Sequence, residues 1–337
     1  MTHRNIPIFI PHMGCPHQCV FCNQRSISGC MEFDEAEMDL IIRNTLSTLS
    51  REDDVEIAFF GGSFTGIDRD LMIRLLDRAE RYVKEGSVKS IRLSTRPDYI
   101  SPEILEILSR YSVKHIELGL QSMDDTVLAS CKRGHTRKQA MDACRAVVNA
   151  GFSLTGQMMI GLPNATPDSE AETAGIICDL GAQSARIYPT VVFYHTPLAD
   201  MTQKRLYQPL SVQDAAERSA EALRVFLDRH VEVIRIGLCA TESLTSSEQV
   251  LAGPNHPALG ELVWNEYYYQ QIYKIIKQKG LFGKEVSLTV PTGQISKVIG
   301  QRRSNLQKIF EKTQTRIVKV SESRDIDGIL ILPRQSL

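Results

Sequence analysis

Three cysteines, Cys15, Cys19 and Cys22, lie close together near the start of the chain in the stretch GCPHQCVFC. Cysteine sulfur is the soft ligand taken by both zinc and iron–sulfur clusters, so thiolates at CxxxCxxC spacing can converge on one inorganic centre. A structural zinc site normally has four ligands, often as two close pairs, and Cys30, His12 or His17 would have to supply the fourth. The triplet therefore leaves iron–sulfur and zinc both open, with a merely structural set of thiols as the third reading. A second feature is FFGGSFTG, residues 59–66, where Gly61 and Gly62 allow either a tight turn or a close approach of backbone to a ligand.

These residues need a frame. From Ile6 to about Gly237, short β-rich runs alternate with longer amphipathic stretches. IPIFIP precedes the cysteine loop and a helix from about Asp34; VEIAFF precedes the glycine pair and the helix RDLMIRLLDRAERYVK. VKSIRLST, VKHIELGL, FSLTGQMMIGL and SARIYPTVVF follow, each with its own helix, and VEVIRIGL is a further strand candidate. Ser101, Thr136 and Ser211 are placed to cap helices. Regular βα alternation predicts a parallel sheet with right-handed connections, either open and doubly wound or a complete or partial barrel. Chemistry in such folds gathers at the C-terminal ends of the strands, and the cysteine loop follows the first strand.

The chain has 337 residues, a net charge of −1 and eight cysteines. That length allows a large core and about two domains. No apolar run approaches the roughly 18 residues of a membrane span, and the N-terminus lacks the pattern of a signal peptide. A cytoplasmic location is expected, where thiols stay reduced, so the cysteines read as ligands, reactive groups or core residues. Cys30, Cys131, Cys144, Cys178 and Cys239 are assigned structural roles. Charge is uneven: residues 283–337 carry 10 Lys/Arg against 5 Asp/Glu, leaving 29 against 35 before them. The basic tail suggests a module facing a polyanion, and a solvated charged face is the alternative.

GCPHQCVFC resembles the cluster loop of the radical S-adenosylmethionine (radical SAM) superfamily, with Phe21 as the aromatic before the third cysteine. The resemblance implies a partial (βα)6 TIM-type barrel in which Cys15, Cys19 and Cys22 hold three irons of a 4Fe–4S cluster. The fourth iron binds S-adenosylmethionine, whose reductive cleavage gives a 5′-deoxyadenosyl radical. On the same resemblance, Gly61, Gly62 and Ser63 contact the methionyl amino group, and Glu117 and Gln121 of HIELGLQS lie near the ribose. Met159 and Gly161 of QMMIGLP approach adenine through their backbone, and Arg186 reaches the cofactor carboxylate. Each polar residue among these could instead satisfy neighbouring backbone.

HIELGLQSMDDTVL, KRGHT, GQMMIGLPNATPDSE, ARIYPTVVF and GPNHPALGELV are similar to the radical SAM part of the catalytic subunit of the Elongator complex and its small bacterial relatives. That subunit modifies wobble uridine in tRNA and adds an acetyltransferase domain. Here three residues rather than four separate the first two cysteines, and the chain is expected to leave no room for an acetyltransferase domain, so acetyl-CoA chemistry is not inherited. Tyr188, Tyr194 and His195 are candidates to line a substrate cavity, or else form a rim of packed aromatics. No general acid or base is named.

The tail reads strand, helix, loop, helix, strand, strand, with Val286, Leu288 and Val290 alternating and Ile295, Val298, Ile299, Leu306, Ile309 and Phe310 at helix-face spacings. It resembles a KH domain, whose GXXG loop clamps nucleic-acid backbone. Gly300, Gln301, Arg302 and Arg303 occupy that loop, with Arg303 in place of the second glycine, and Lys297 and Lys308 flank it. The expected organisation is a barrel over 1–240, an Elongator-like extension with a connecting helix over 241–282, and a small α+β KH-like domain over 283–337. The activity that the resemblance implies is radical modification of RNA, with tRNA as the leading substrate, an electron donor such as flavodoxin or ferredoxin, and no membrane. The alternatives are radical chemistry on a small molecule or protein, and a zinc-stabilised RNA-binding protein without catalysis.

Overall fold

The computed structural model describes residues 3–15, 19–23, 33–50, 52–238 and 249–334. Strand β1 (His3–Phe9) leads through the cysteine loop to α1 (Met38–Ser47), and the alternation continues with β2 (Asp54–Phe60), α2 (Arg69–Lys84), β3 (Ser90–Thr95) and α3 (Pro102–Ser109). Then come β4 (Val113–Gln121), α4 (Asp125–Ser130), α5 (Arg137–Asn149), β5 (Ser153–Ile160), α6 (Pro167–Asp179) and β6 (Ser184–Pro189). The short β7 (Val192–Phe193), α7 (Pro197–Gln203), α8 (Val212–Asp228) and β8 (Glu232–Ile236) complete the series. The caps are those the sequence points to. Ser101 accepts from the Ile104 N–H, Ser211 from the Asp214 N–H, and Thr136 forms a capping box with Gln139.

The main sheet is ordered β1-β2-β3-β4-β5-β6-β8 and is parallel throughout. It has seven strands: the further candidate in VEVIRIGL is β8, which extends the six-unit barrel by pairing with β6 from Ser184↔Glu232 to Ile187↔Ile236. Period-two alternation explains its two faces. Ile6, Ile8, Ile57, Phe59, Ile116, Leu118, Leu154, Met158 and Ile187 are buried in one core with the helices. The intervening residues turn the other way, and across the lumen Arg186 on β6 stacks its guanidinium 5.3 Å from the ring centre of Phe60 on β2. Four strand steps separate β2 from β6, so the sheet curls into a partial barrel.

At the N-terminal end of the strands the lumen is closed by polar side chains. Glu56 pairs with Arg92 at 3.0 Å and His115 at 3.1 Å and accepts from Ser90 Oγ at 2.5 Å, while Arg92 reaches Thr155 at 3.3 Å. Burial alone would raise the Glu56 carboxyl, but the hydrogen bonds from His115 and Ser90 and the Arg92 charge bring it down to about 2. The opposite end is left for the loops.

Strand β9 (Val250–Ala252) pairs with β7 in the segment whose sequence reads as irregular. Helix α9 (Leu259–Gln278) then joins two cores: Leu259 and Val263 belong to the barrel core, while Tyr268, Ile272 and Ile276 belong to the C-terminal one. That second core is enclosed by β10 (Glu285–Pro291), α10 (Ile295–Ile299), α11 (Ser304–Thr313), β11 (Arg316–Ser323) and β12 (Leu330–Pro333), in sheet order β11-β10-β12. Val286, Leu288 and Val290 are fully buried as their alternation requires. Phe310 is not: it is 41% exposed, because its neighbour Ile309 takes the inward position on the same turn. Among the described residues, no helix is long and apolar enough to cross a membrane.

Candidate active site

The cysteine loop and the glycine-rich turn after β2 form one packed unit. Met13 N–H donates to the carbonyl of Ile10, and the Ser63 N–H donates to the Met13 carbonyl at 2.9 Å. A Cβ on Gly62 would lie 2.4 Å from the Met13 carbonyl oxygen and 2.5 Å from that of Ile10, so only glycine permits this approach. Gly61 has φ +94°, and a Cβ on Gly14 would lie 2.3 Å from the Ser63 carbonyl oxygen. Ser63 is fully buried, with its Oγ 3.3 Å from Cys15 Sγ.

Cys19 and Cys22 lie on the other limb. The Cys22 N–H donates to the Cys19 carbonyl, and the Val20 N–H donates to the Cys131 carbonyl at the end of α4. Phe21 is buried with Val20, Val127, Leu162 and Leu198, and Met159 packs against the same cluster. Two arginines point at the Cys19 sulfur: Arg133 Nη1 at 3.3 Å and Arg96 Nη1 at 3.8 Å. Arg96 is also paired with Asp98 at 2.9 Å and donates to the Arg133 carbonyl. His135 is buried just beyond, and burial together with the Arg133 charge pushes it down to about 3, so it is neutral at ordinary pH. Sequence reasoning did not single out Arg96, Asp98, Arg133 or His135, although KRGHT contains two of them; nothing in their spacing marks them as neighbours of a cysteine on another loop.

Deeper in the lumen, two residues expected at the cofactor meet each other. Glu117 on β4 and Arg186 on β6 are 2.7 Å apart, and Arg186 also donates to the Tyr188 hydroxyl at 3.1 Å. Gln121, at φ 67° where the β4–β5 register shifts, accepts from Gln157 at 3.5 Å. Gly161, at φ +78°, is clamped on both sides of its backbone. Its N–H donates to Glu170, its carbonyl accepts from the Tyr207 hydroxyl, and Arg218 holds Glu170 at 2.6 Å. Tyr194 is half-buried and His195 is exposed with φ 60°, their rings 6.5 Å apart at the rim.

Among the described residues, the other three thiols are not poised for chemistry: burial pushes Cys131 and Cys144 up to about 12 and Cys178 to about 11. His17, Cys30 and Cys239 lie outside the described residues, and His12 donates its backbone N–H to the Gly61 carbonyl at 3.3 Å. Among the described residues, no three His, Cys, Asp or Glu side chains converge on a point that one ion could occupy. Three thiolates are the donor type that an iron–sulfur cluster takes. Ser94 Oγ and Arg133 Nε are buried without a hydrogen-bond partner in the protein, which leaves polar valence unused at these two side chains.

At the C-terminal unit, Gly300 is buried at φ +76°, while Gln301, Arg302 and Arg303 are exposed. Both arginines are left-handed, at φ 52° and 65°. Lys297 and Lys308 turn toward α9: Lys297 lies 4.5 Å over the Trp264 ring, and Lys308 pairs with Glu266 at 3.1 Å over Tyr269. The two arginines are the exposed cations within the loop itself, and Lys308 beside it is partly exposed.

Comparison with known proteins gives three family matches. Residues 9–175 match the radical SAM superfamily, 182–269 the radical SAM C-terminal domain, and 285–329 the KH domain. The tRNA uridine(34) acetyltransferase of Methanocaldococcus infernus is 23% identical over 249 residues, covering 68% of this chain and 44% of that protein. The heme chaperone HemW of Bacillus subtilis is 26% identical over 209 residues, covering 60% and 55%. The chain thus spans about half the length of these relatives. The solved structure of archaeal Elp3 from Methanocaldococcus infernus, lacking residues 1–46, shares the fold with a TM-score of 0.62 at 19% identity, covering 83% of this chain and 64% of that one.

Proposed function

Because the chain belongs to the radical SAM superfamily, we propose that it is a radical enzyme that modifies RNA, with tRNA as the substrate. The observation that carries the reading is the packing of the three-cysteine loop against the glycine-rich turn at the open end of a barrel that shares its chain with a KH domain. The tRNA uridine(34) acetyltransferase among its relatives supports the substrate class.

Cys15, Cys19 and Cys22 would hold a 4Fe–4S cluster, and S-adenosylmethionine would lie over the Gly61–Ser63 turn. Together these groups supply a carbon-centred radical on one-electron reduction, which is chemistry a protein side chain alone does not provide. The chain's own contribution is position and dryness. Gly61 and Gly62 bring backbone amides close to the cysteine loop, and the buried Gly161 clamp fixes the loop after β5 where adenine would rest. Glu117, Gln121, Gln157 and Arg186 offer charged and amide groups inside the lumen, and Phe21, Leu162 and Leu198 exclude water from the cysteine side. Tyr188, which accepts from Arg186 in the lumen, and the Tyr194–His195 ring pair would line the path of a flipped-out nucleoside. The Gly300–Arg303 loop would hold RNA backbone through exposed positive charge.

The test is product analysis. Iron-loaded protein incubated anaerobically with S-adenosylmethionine, dithionite and bulk tRNA should yield, after digestion, a modified or consumed nucleoside by mass spectrometry. An unchanged nucleoside profile with vigorous S-adenosylmethionine cleavage would move the reading to a small-molecule or protein substrate.

A further inference from the structure

Cys19 differs from Cys15 in what surrounds its sulfur. Cys15 meets a neutral hydroxyl, Ser63 Oγ at 3.3 Å, whereas Cys19 lies against two guanidinium groups, Arg133 at 3.3 Å and Arg96 at 3.8 Å. Neither arginine is free to leave. Both are buried, at 6% and 3% exposure. Arg133 donates its second nitrogen to the Gly119 carbonyl at the C-terminal end of β4, and Arg96 is held by both Asp98 oxygens and by the Arg133 carbonyl. Asp98 offsets one of the two positive charges, so one remains uncompensated beside the sulfur.

Hydrogen bonds to ligand sulfur and nearby positive charge both draw electron density from an iron–sulfur cluster and favour its reduced state. We propose that Arg133, braced by the Arg96–Asp98 pair, raises the reduction potential of the cluster and makes its one-electron reduction accessible to a weak biological donor. This rests on the cluster reading above. Arg133 is a tuning and positioning residue: the oxidised cluster accepts one electron from the external reductant, and the arginine neither gives nor takes a proton.

The test is an EPR-monitored redox titration of anaerobically reconstituted protein without S-adenosylmethionine, with iron and sulfide content measured on each sample. Arg133→Gln should shift the ratio of oxidised to reduced cluster at a fixed potential by about tenfold or more toward oxidised, which is about 59 mV for a one-electron couple. Arg133→Lys, which keeps the charge, should stay closer to wild type than Arg133→Gln. Arg96→Gln should shift the same way, because it uncovers the Asp98 carboxylate, and it carries the test if Arg133→Gln takes up less iron. Fully loaded variants with wild-type potentials, or Lys and Gln variants displaced equally, would overturn the inference. A wild-type protein that takes up zinc and no iron would instead remove the cluster reading itself.

Discussion

The barrel mouth and the Gly300–Arg303 loop both depend on glycine and arginine, yet they use them in opposite ways. At the mouth, glycines let backbone segments touch, and the arginines are buried and tied to Asp98, Gly119 and Cys19. At the C-terminal loop, one glycine is buried and the arginines stand in solvent, held in left-handed backbone. A site assembled by burial has few tolerated substitutions and large effects, because each change leaves a clash or an unpaired charge. A site assembled by exposed charge responds in small, additive, salt-dependent steps.

The largest effect is expected at Cys19. Cys19→Ala should abolish cluster assembly and reductive cleavage of S-adenosylmethionine, read by iron analysis and 5′-deoxyadenosine formation, and retained cleavage would break the mouth's half of the comparison. Gly62→Ala comes next, since its Cβ would meet two backbone oxygens that cannot move aside. It should cost on the order of 1–3 kcal/mol in chemical denaturation and lower iron uptake.

His135 sharpens the buried side further. Its folded pKa of about 3 lies below the ordinary value of 6.5, so the unfolded chain binds the extra proton between those values. Stability is therefore fully present above pH 6.5 and falls as pH drops, by about 1.4 kcal/mol per unit for this one group. Glu56, lowered from 4.5 to about 2, adds its own loss only below pH 4.5. His135→Gln should flatten the stability profile between pH 6.5 and 4.5 and leave between pH 4.5 and about 3 a shallower loss to which Glu56 still contributes, and an unaltered slope in the upper window would contradict the buried neutral imidazole.

The exposed side should behave differently. Arg302→Ala with Arg303→Ala should weaken RNA binding while leaving the fold intact, and should reduce the slope of log affinity against log salt by about 1.4, at roughly 0.7 for each phosphate that an arginine neutralises. Arg303→Gly should do half of this while stabilising the protein by about 0.5–1 kcal/mol, because φ 65° costs an L side chain but not glycine. An equal drop in affinity at all salt concentrations would show that the loop does not work through charge.

Much of the fold was legible because the signals are local. Helix caps at Ser101, Thr136 and Ser211, the alternation of Val286, Leu288 and Val290, and the succession of βα units all depend on near neighbours in sequence. Radical SAM membership was legible from the cysteine and glycine motifs together. The seventh strand was weaker to read because β8 is an edge strand, half-exposed along most of its length. Long-range charge pairing was not legible. Arg133 lies 114 residues from Cys19, and the Glu117–Arg186 and Glu170–Arg218 pairs join strands and helices whose approach depends on the curl of the sheet. Nor was it legible that Lys297 and Lys308, expected at the RNA, also contact the aromatic and acidic face of α9.

The central claim is tested most directly by anaerobic purification, analysis of iron, sulfide and zinc, and assay of 5′-deoxyadenosine from S-adenosylmethionine and dithionite with and without bulk tRNA. The account predicts four irons per chain and cleavage stimulated by tRNA, whereas stoichiometric zinc, no iron and no cleavage would contradict it.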